Sequence, residues 1–184
     1  VTSLQHDHPD CFPTMDIYQQ AFIDYTHNII SNGYLIVCAD DENAVKLKET
    51  ARVDVQAFTY GFSRGADYHI TALPRTTTFD FDITYQNEKL VTLKLSVAGN
   101  HNALNATAVL ATAHQLGHDI DTTACALLAF CGSDRRFDIL GTFNDVTLID
   151  DYAHNPPKIK AALQAARQHF PDARIWVVWQ PHTY

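Results

Sequence analysis

The segment Leu148–Leu163, LIDDYAHNPPKIKAAL, sets Asp150, Asp151, Tyr152, His154 and Asn155 in front of a double proline. These residue types can ligate a metal ion, form an acid–base cluster, or line the end of a strand. The apolar VTLI before the aspartates and the proline-started helix after them point to a strand-end crevice. Ligands of open α/β sheets bind outside the carboxyl ends of strands, where loops supply polar groups and a helix N-terminus supplies positive dipole. The run WVVWQPHTY ends in the same manner, so His182 and Tyr184 are expected to face the same crevice.

Three other stretches carry chemistry. In QHDHPD, His6, Asp7, His8 and Asp10 lie close together in a loop. Mixed imidazole and carboxylate donors suit a divalent ion, and a hard ion such as Mg²⁺ takes few protein ligands; a solvated polar turn is the plainer alternative. GNHNALNA puts Asn102, the expected N-cap, and Asn105 at the opening of a helix. Their amides suit a purine edge and the helix start suits an anion, although a capped helix has the same pattern. GSDRRFD holds Arg135 and Arg136 in a loop that can turn both guanidiniums into a cleft toward phosphate or carboxylate, though arginine pairs are also common on surfaces. His114 and His118 have the i, i+4 spacing of a zinc pair, but Gly117 between them marks a helix end and argues against it.

The elements that must position these residues follow from periodicity. Helical spacing over TMDIYQQAFIDYTHNI, with Thr14 or Asp16 as cap, leads into YLIVCAD, the pattern of a buried parallel strand. ENAVKLKETAR reads as a short helix and VQAFTYGF as another strand. YHITALP, TFDFDITYQ and KLVTLKLSV then alternate with period two, an antiparallel patch turned at YQNEKL. Helices return in HNALNATAVLATAHQLG and DTTACALLAFCG, with Gly117 and Gly132 as expected C-caps. FDILGTF and VTLIDDY read as strands, PPKIKAALQAARQHF as a helix and ARIWVVWQP as a strand, so the last three elements predict a right-handed β-α-β crossover. The fold class is α/β. A chain stopping straight after a buried-type strand leaves that last sheet uncovered, which reads as an incomplete second domain.

Composition narrows the function. Of 184 residues, 46% are hydrophobic and 18% charged, as in a soluble globular protein. No apolar run is long enough to span a bilayer and no secretory leader is visible, so a cytoplasmic location and no membrane partner are expected. A net charge of -8, with 13 Lys and Arg that form no stripe, speaks against nucleic acid. The four cysteines lack a C-x-x-C pair and are expected as buried, reduced thiols.

Taken in order, DHPD, GNHNALNA, GSDRRFD, DDYAHNP and WQPHTY closely resemble the Mur ligase family, in the branch whose pattern runs D-H-x-D, G-x-H-N-x-x-N-A, G-x-x-R-R-F-D, D-D-Y-G-H-H-P and Q-P-H-R-Y. The resemblance spans nearly the whole chain. It implies that residues 1–140 are the later part of a central parallel-sheet ATP-binding domain, and that 141–184 begin a Rossmann-like C-terminal domain that presents the amino acid. It implies ATP and Mg²⁺ as cofactors. The implied substrates are a UDP-N-acetylmuramate-like carboxylate and an amino acid, L-alanine foremost, joined for peptidoglycan precursor synthesis. In that chemistry the carboxylate takes the γ-phosphoryl group to give an acyl phosphate, and the amine displaces phosphate, so catalysis rests on positioning and charge neutralisation. His8 resembles the magnesium-ligating histidine. His101 and Asn105, beside Asn102, look like the adenine contacts, and Asp150 or Asp151 would meet the ribose. Arg135 and Arg136 match positions near the γ-phosphate and reacting carboxylate. His154, with Tyr152, Asn155 and His182, would line the amino-acid side.

The pattern is not complete. The phosphate loop G-x-x-G-K-[ST] with the metal-binding glutamate after it, and the UDP-sugar domain, are absent from these residues, so this chain alone is expected to be inactive. Asn155 stands where the branch has a second histidine, as in cyanophycin-synthetase-like ligases, and Thr183 where it has an arginine expected to pair with the amino acid's carboxylate. A murein tripeptide-recycling ligase and, in another class, a noncatalytic nucleotide-binding module are the alternatives.

Overall fold

The computed structural model describes residues 1–74 and 79–180. Their elements run α1 (Met15–Thr26), β1 (Tyr34–Cys38), α2 (Leu47–Thr50), β2 (Gln56–Gly61), β3 (Tyr68–Ala72), β4 (Phe79–Tyr85), β5 (Glu88–Leu95), α3 (Asn100–Gln115), α4 (Ile120–Ala129), β6 (Asp138–Phe143), β7 (Val146–Asp150) and α5 (Pro156–His169). The first five strands form one sheet in sequence order. β1, β2 and β3 pair in parallel, then β3–β4 and β4–β5 pair antiparallel, so only β4 runs against the rest of that sheet.

Side-chain alternation assigns the two faces. Leu35 and Val37 of β1 pack on one face with Leu47 of α2 and with Met15, Tyr18, Phe22 and Ile23 of α1. Cys38 joins Tyr60, Tyr68, Ile70, Ile83 and Leu93 against Ala103, Ala106, Leu110 and Ala111 of α3 on the other. Burying side chains of Leu or Ile size contributes about 1.5–3 kcal/mol each, and both faces are covered, as the parallel arrangement requires.

Caps and turns follow local chemistry, with some shifts from expectation. Thr14 caps α1 by accepting the Ile17 amide, as its sequence position predicts. Gln86 and Asn87 between β4 and β5, and Asn144 and Asp145 between β6 and β7, all have positive φ, the signature of a tight two-residue hairpin. The helix expected over ENAVKLKETAR shrinks to the four residues of α2. Asn102 is not the N-cap of α3. Gly99, with φ +101°, takes that place, and the Asn102 side chain instead donates from Nδ2 to the Ala98 carbonyl at 2.6 Å. Gly117 does close α3: its amide donates to His114 O and that of His118 to Ala113 O, the paired bonds of a Schellman end. Gly132 caps nothing, because α4 already ends at Ala129.

β6 and β7 form a separate antiparallel hairpin, followed by α5 with Asn155 as N-cap and proline in the first turn. α5 docks on the start of α3 through fully buried Ala165 and a bond from Gln168 Nε2 to Asn100 Oδ1 at 3.1 Å. The strand expected over ARIWVVWQP, residues 173–181, is not formed over 173–180, and Pro181 lies outside the described residues, so no β-α-β crossover closes among the described residues. A strand exists by its ladder; β7 pairs only with β6 here, and Trp176 and Val178 stay exposed. The thiols also differ from expectation. All are free, but only Cys38 is buried, since Cys125 lies on α4, a helix with no buried residue, and Cys11 and Cys131 lie in exposed loops.

Candidate active site

A cavity of about 950 Å³ opens where the end of β5, the N-terminus of α3, the arginine loop, the end of β7 and the start of α5 converge. His101, Asn102 and Asn105 line it from α3, Arg136 from the loop, and Asp151 from the strand end. Polar residues from three separate segments of the sequence are thus gathered in one place. Most of the remaining wall is apolar, including Leu95, Val97, Leu104 and Phe130. A largely apolar hollow with a few convergent polar groups is the usual form of a small-ligand site.

The polar groups have distinct environments. Burial lowers the His101 pKa; the Asp151 charge opposes this and the Arg136 charge adds to it, so the ring favours its neutral form. The Asp151 carboxylate accepts the amides of Phe137 at 2.9 Å and Ala153 at 2.7 Å, which ties the arginine loop to the end of β7.

The adjacent arginines part company. Only Arg136 lines the cavity, against the expectation that both turn into it. The backbone has positive φ at Arg135 and Phe137, and Arg135 is directed to Asp150, 3.4 Å from Nε, with its guanidinium 5.0 Å from the Tyr152 ring centre. The Arg135 carbonyl also accepts the Tyr152 amide. Asp150, Tyr152 and Arg135 therefore form a group beside the cavity rather than in its wall.

A third group joins the N-terminal loop to α5. Asn155 Oδ1 accepts the Lys158 amide at 3.1 Å, while its Nδ2 donates to Asp7 Oδ2 at 3.3 Å. Asparagine is among the best N-cap residues, which gives a physical reason for Asn155 at a place where the resembled pattern has histidine. Lys158 Nζ lies 3.7 Å from Asp7 Oδ2 and 3.3 Å from His154 Nε2. Burial alone would raise the Asp7 carboxyl; the His8 amide and the charges of Lys158, His8 and His154 outweigh it and hold it below the usual range. His8 itself is exposed, on the loop that continues from Gln5, which does line the cavity. His182, Thr183 and Tyr184 lie outside the described residues. No group of three or more His, Cys, Asp or Glu among the described residues is placed to hold a metal ion, and His114 is engaged by the Tyr68 hydroxyl at 2.7 Å.

Sequence reasoning passed over Lys158, which touches both His154 and Asp7 and lines the cavity. Its i, i+4 spacing from His154 was the available signal.

Strand ends and helix N-termini meeting at one largely apolar cavity with a few polar groups are the arrangement in which open-sheet α/β proteins bind ligands. Residues 1–113 match the Mur ligase middle domain, and residues 135–183 match the Mur ligase, glutamate ligase domain. The chain belongs to the Mur ligase family. It is 38% identical over its full length to the UDP-N-acetylmuramate–L-alanine ligase of Clostridium novyi and 40% identical to that of Desulforamulus reducens, covering 40% of each. The chain thus spans about two fifths of the length of these curated relatives. The crystal structure of the UDP-N-acetylmuramate–alanine ligase of Thermotoga maritima superposes with a TM-score of 0.73 at 28% identity, over 91% of this chain and 37% of that one. A murein peptide ligase from Psychrobacter arcticus gives 0.65 at 26% identity, over 91% and 35%. Among the described residues no helix is long and apolar enough to cross a membrane.

Proposed function

We propose that this chain is the nucleotide- and amine-facing part of an ATP-dependent ligase. It would join an amino acid, L-alanine foremost, to a UDP-N-acetylmuramate-like carboxylate through an acyl phosphate, in the cytoplasm where ATP is available. The observation that carries the reading is the single cavity uniting His101, Asn102, Asn105, Arg136 and Asp151. Its size and apolar walls suit a nucleotide base, and neutral His101 with two asparagine amides offers the donors and acceptors a purine edge needs. Arg136 offers a two-point contact to a phosphoryl or carboxylate oxygen. Bound ATP would supply the phosphoryl group that activates the carboxylate. Mg²⁺ would be held mainly by phosphate and water, with His8 the protein ligand these residues bring, in keeping with the ion's preference for few protein donors. Arg135, Asp150 and Tyr152 border the amine side, with His154 as the group closest to the amino acid and Asn155 and His182 beside it. Lacking the phosphate loop, these residues by themselves would not turn over.

The test is phosphate release by the full-length parent with ATP, Mg²⁺, UDP-N-acetylmuramate and a panel of amino acids. Release that depends on an amino acid, greatest with L-alanine, is expected. ATP binding without such release would instead favour a noncatalytic nucleotide-binding module, and a different preferred acceptor would direct attention to Thr183.

A further inference from the structure

The loop that carries Arg136 is bound to the end of β7 on both sides of that residue. Arg136 itself closes a turn, its amide donating to the Ser133 carbonyl at 3.1 Å. Its neighbours Arg135 and Phe137 stand at φ +59° and +51°, a left-handed conformation that residues with a side chain seldom adopt and that persists where the surroundings impose it. Here the surroundings are Asp150, Asp151 and Tyr152. Before Arg136, the Arg135 carbonyl accepts the Tyr152 amide at 2.9 Å, and the Arg135 guanidinium lies 3.4 Å from Asp150 Oδ2 and 5.0 Å from the Tyr152 ring centre. After it, the Phe137 amide donates to Asp151 Oδ2 at 2.9 Å. The two segments divide alike, with Arg136 and Asp151 lining the cavity and Arg135, Asp150 and Tyr152 outside its wall.

We propose that Arg135 is a positioning residue, a clamp on Asp150 and Tyr152 that aims Arg136 into the cavity. An exposed ion pair is weak by itself. Arg135 adds a cation–ring contact and a backbone bond to the same short segment, so the three act together on one half of the loop while Asp151 holds the other. Without the guanidinium, the left-handed backbone at Arg135 loses part of what imposes it, and the loop relaxes toward conformations that turn Arg136 elsewhere. The clamp also keeps the second guanidinium on Asp150, so the cavity receives one positive fork rather than two. That this fork meets a phosphoryl or carboxylate oxygen rests on the ligase reading above; the clamp itself does not.

The experiment has two arms, both on the full-length parent. Asparagine tolerates positive φ, so Arg135→Asn removes the guanidinium without adding backbone strain. Hydrogen exchange read by mass spectrometry follows the peptides over 133–138 and 150–153, which contain the bonded amides of Phe137 and Tyr152. Exchange there is expected to be at least fivefold faster in Arg135→Asn than in the wild type. In the kinetic arm, Arg135→Asn is expected to lower kcat for amino-acid-dependent phosphate release at least fivefold with KM for ATP within twofold. Arg135→Lys, which keeps a cation for Asp150, should recover most of the loss. In an Arg136→Ala background, Arg135→Asn is expected to change kcat less than twofold, because a residue that acts through Arg136 then has nothing to aim. Losses that multiply in the double variant, or an Arg135→Asn protein within twofold of wild type in either exchange or kcat, overturn the proposal. Faster loop exchange in Arg135→Asn beside a wild type that releases no phosphate with any amino acid overturns the ligase reading instead.

Discussion

The Asp151 carboxylate accepts the Phe137 amide at 2.9 Å, and by that bond the end of β7 holds the loop that presents Arg136. The two residues stand fourteen positions apart. The geometry of the arginine loop therefore depends on a side chain outside it.

Replacing Asp151 with alanine leaves the amides of Phe137 and Ala153 without their acceptor. A loss of about 1–3 kcal/mol is expected, with Asp151→Asn losing less because one carbonyl oxygen remains. Urea unfolding of the two variants beside the wild type checks the order; equal losses would count against the bond to the second amide.

Gly99 sits at φ +101° as the N-cap of α3, and a Cβ there would come within 2.7 Å of His101 Cε1 and 3.1 Å of Ala165 Cβ. Gly99→Ala is expected to cost about 1–3 kcal/mol in backbone strain and to push His101 out of place. A lower Tm together with weaker ATP binding in titration calorimetry is the expected pair of results; a lower Tm with unchanged binding would separate His101 from the nucleotide.

His101 makes stability depend on pH. Its folded pKa lies below the ordinary 6.5, chiefly through burial, so between the two values the unfolded chain binds a proton that the folded chain does not. The stabilising contribution is complete above pH 6.5 and is lost as pH falls from there through the folded pKa. Melting curves from pH 7.5 to 5.5 are expected to show a decline that flattens in His101→Gln.

Arg136 and Asn105 line one cavity and should fail differently. Arg136→Ala is expected to lower kcat for phosphate release, as loss of a charge contact worth about 2–3 kcal/mol would. Asn105→Ala, deleting a neutral hydrogen bond worth about 1 kcal/mol, is expected to raise KM for ATP by several-fold with little change in kcat. Steady-state kinetics of the parent checks both, and unchanged constants in both variants would remove the site assignment.

Much of the architecture was legible because it follows from local rules. Period-two alternation marked β3, β4 and β5, helical spacing marked α1, α3 and α4, and Thr14 and Gly117 announced their caps by type. The Asn-Asp pair between β6 and β7 was an equally local hairpin signal that the reading did not use. The candidate site was legible as a set of motifs, since Asn105, Arg136 and Asp151 each stood out by residue type and His101 by the family resemblance, although nothing local said that they meet.

The sequence by itself determined the α/β class, the order of nearly all the elements and the family, because propensity, periodicity and motif order are properties of neighbouring residues. Only the tertiary structure decided which polar groups share a cavity. It turned Arg136 inward and Arg135 onto Asp150, moved the start of α3 from Asn102 to Gly99, and left 174–180 without a ladder. It also set Lys158 between His154 and Asp7. Those outcomes depend on hydrogen bonds and packing between residues distant along the chain, where several partners are chemically equivalent and geometry chooses among them.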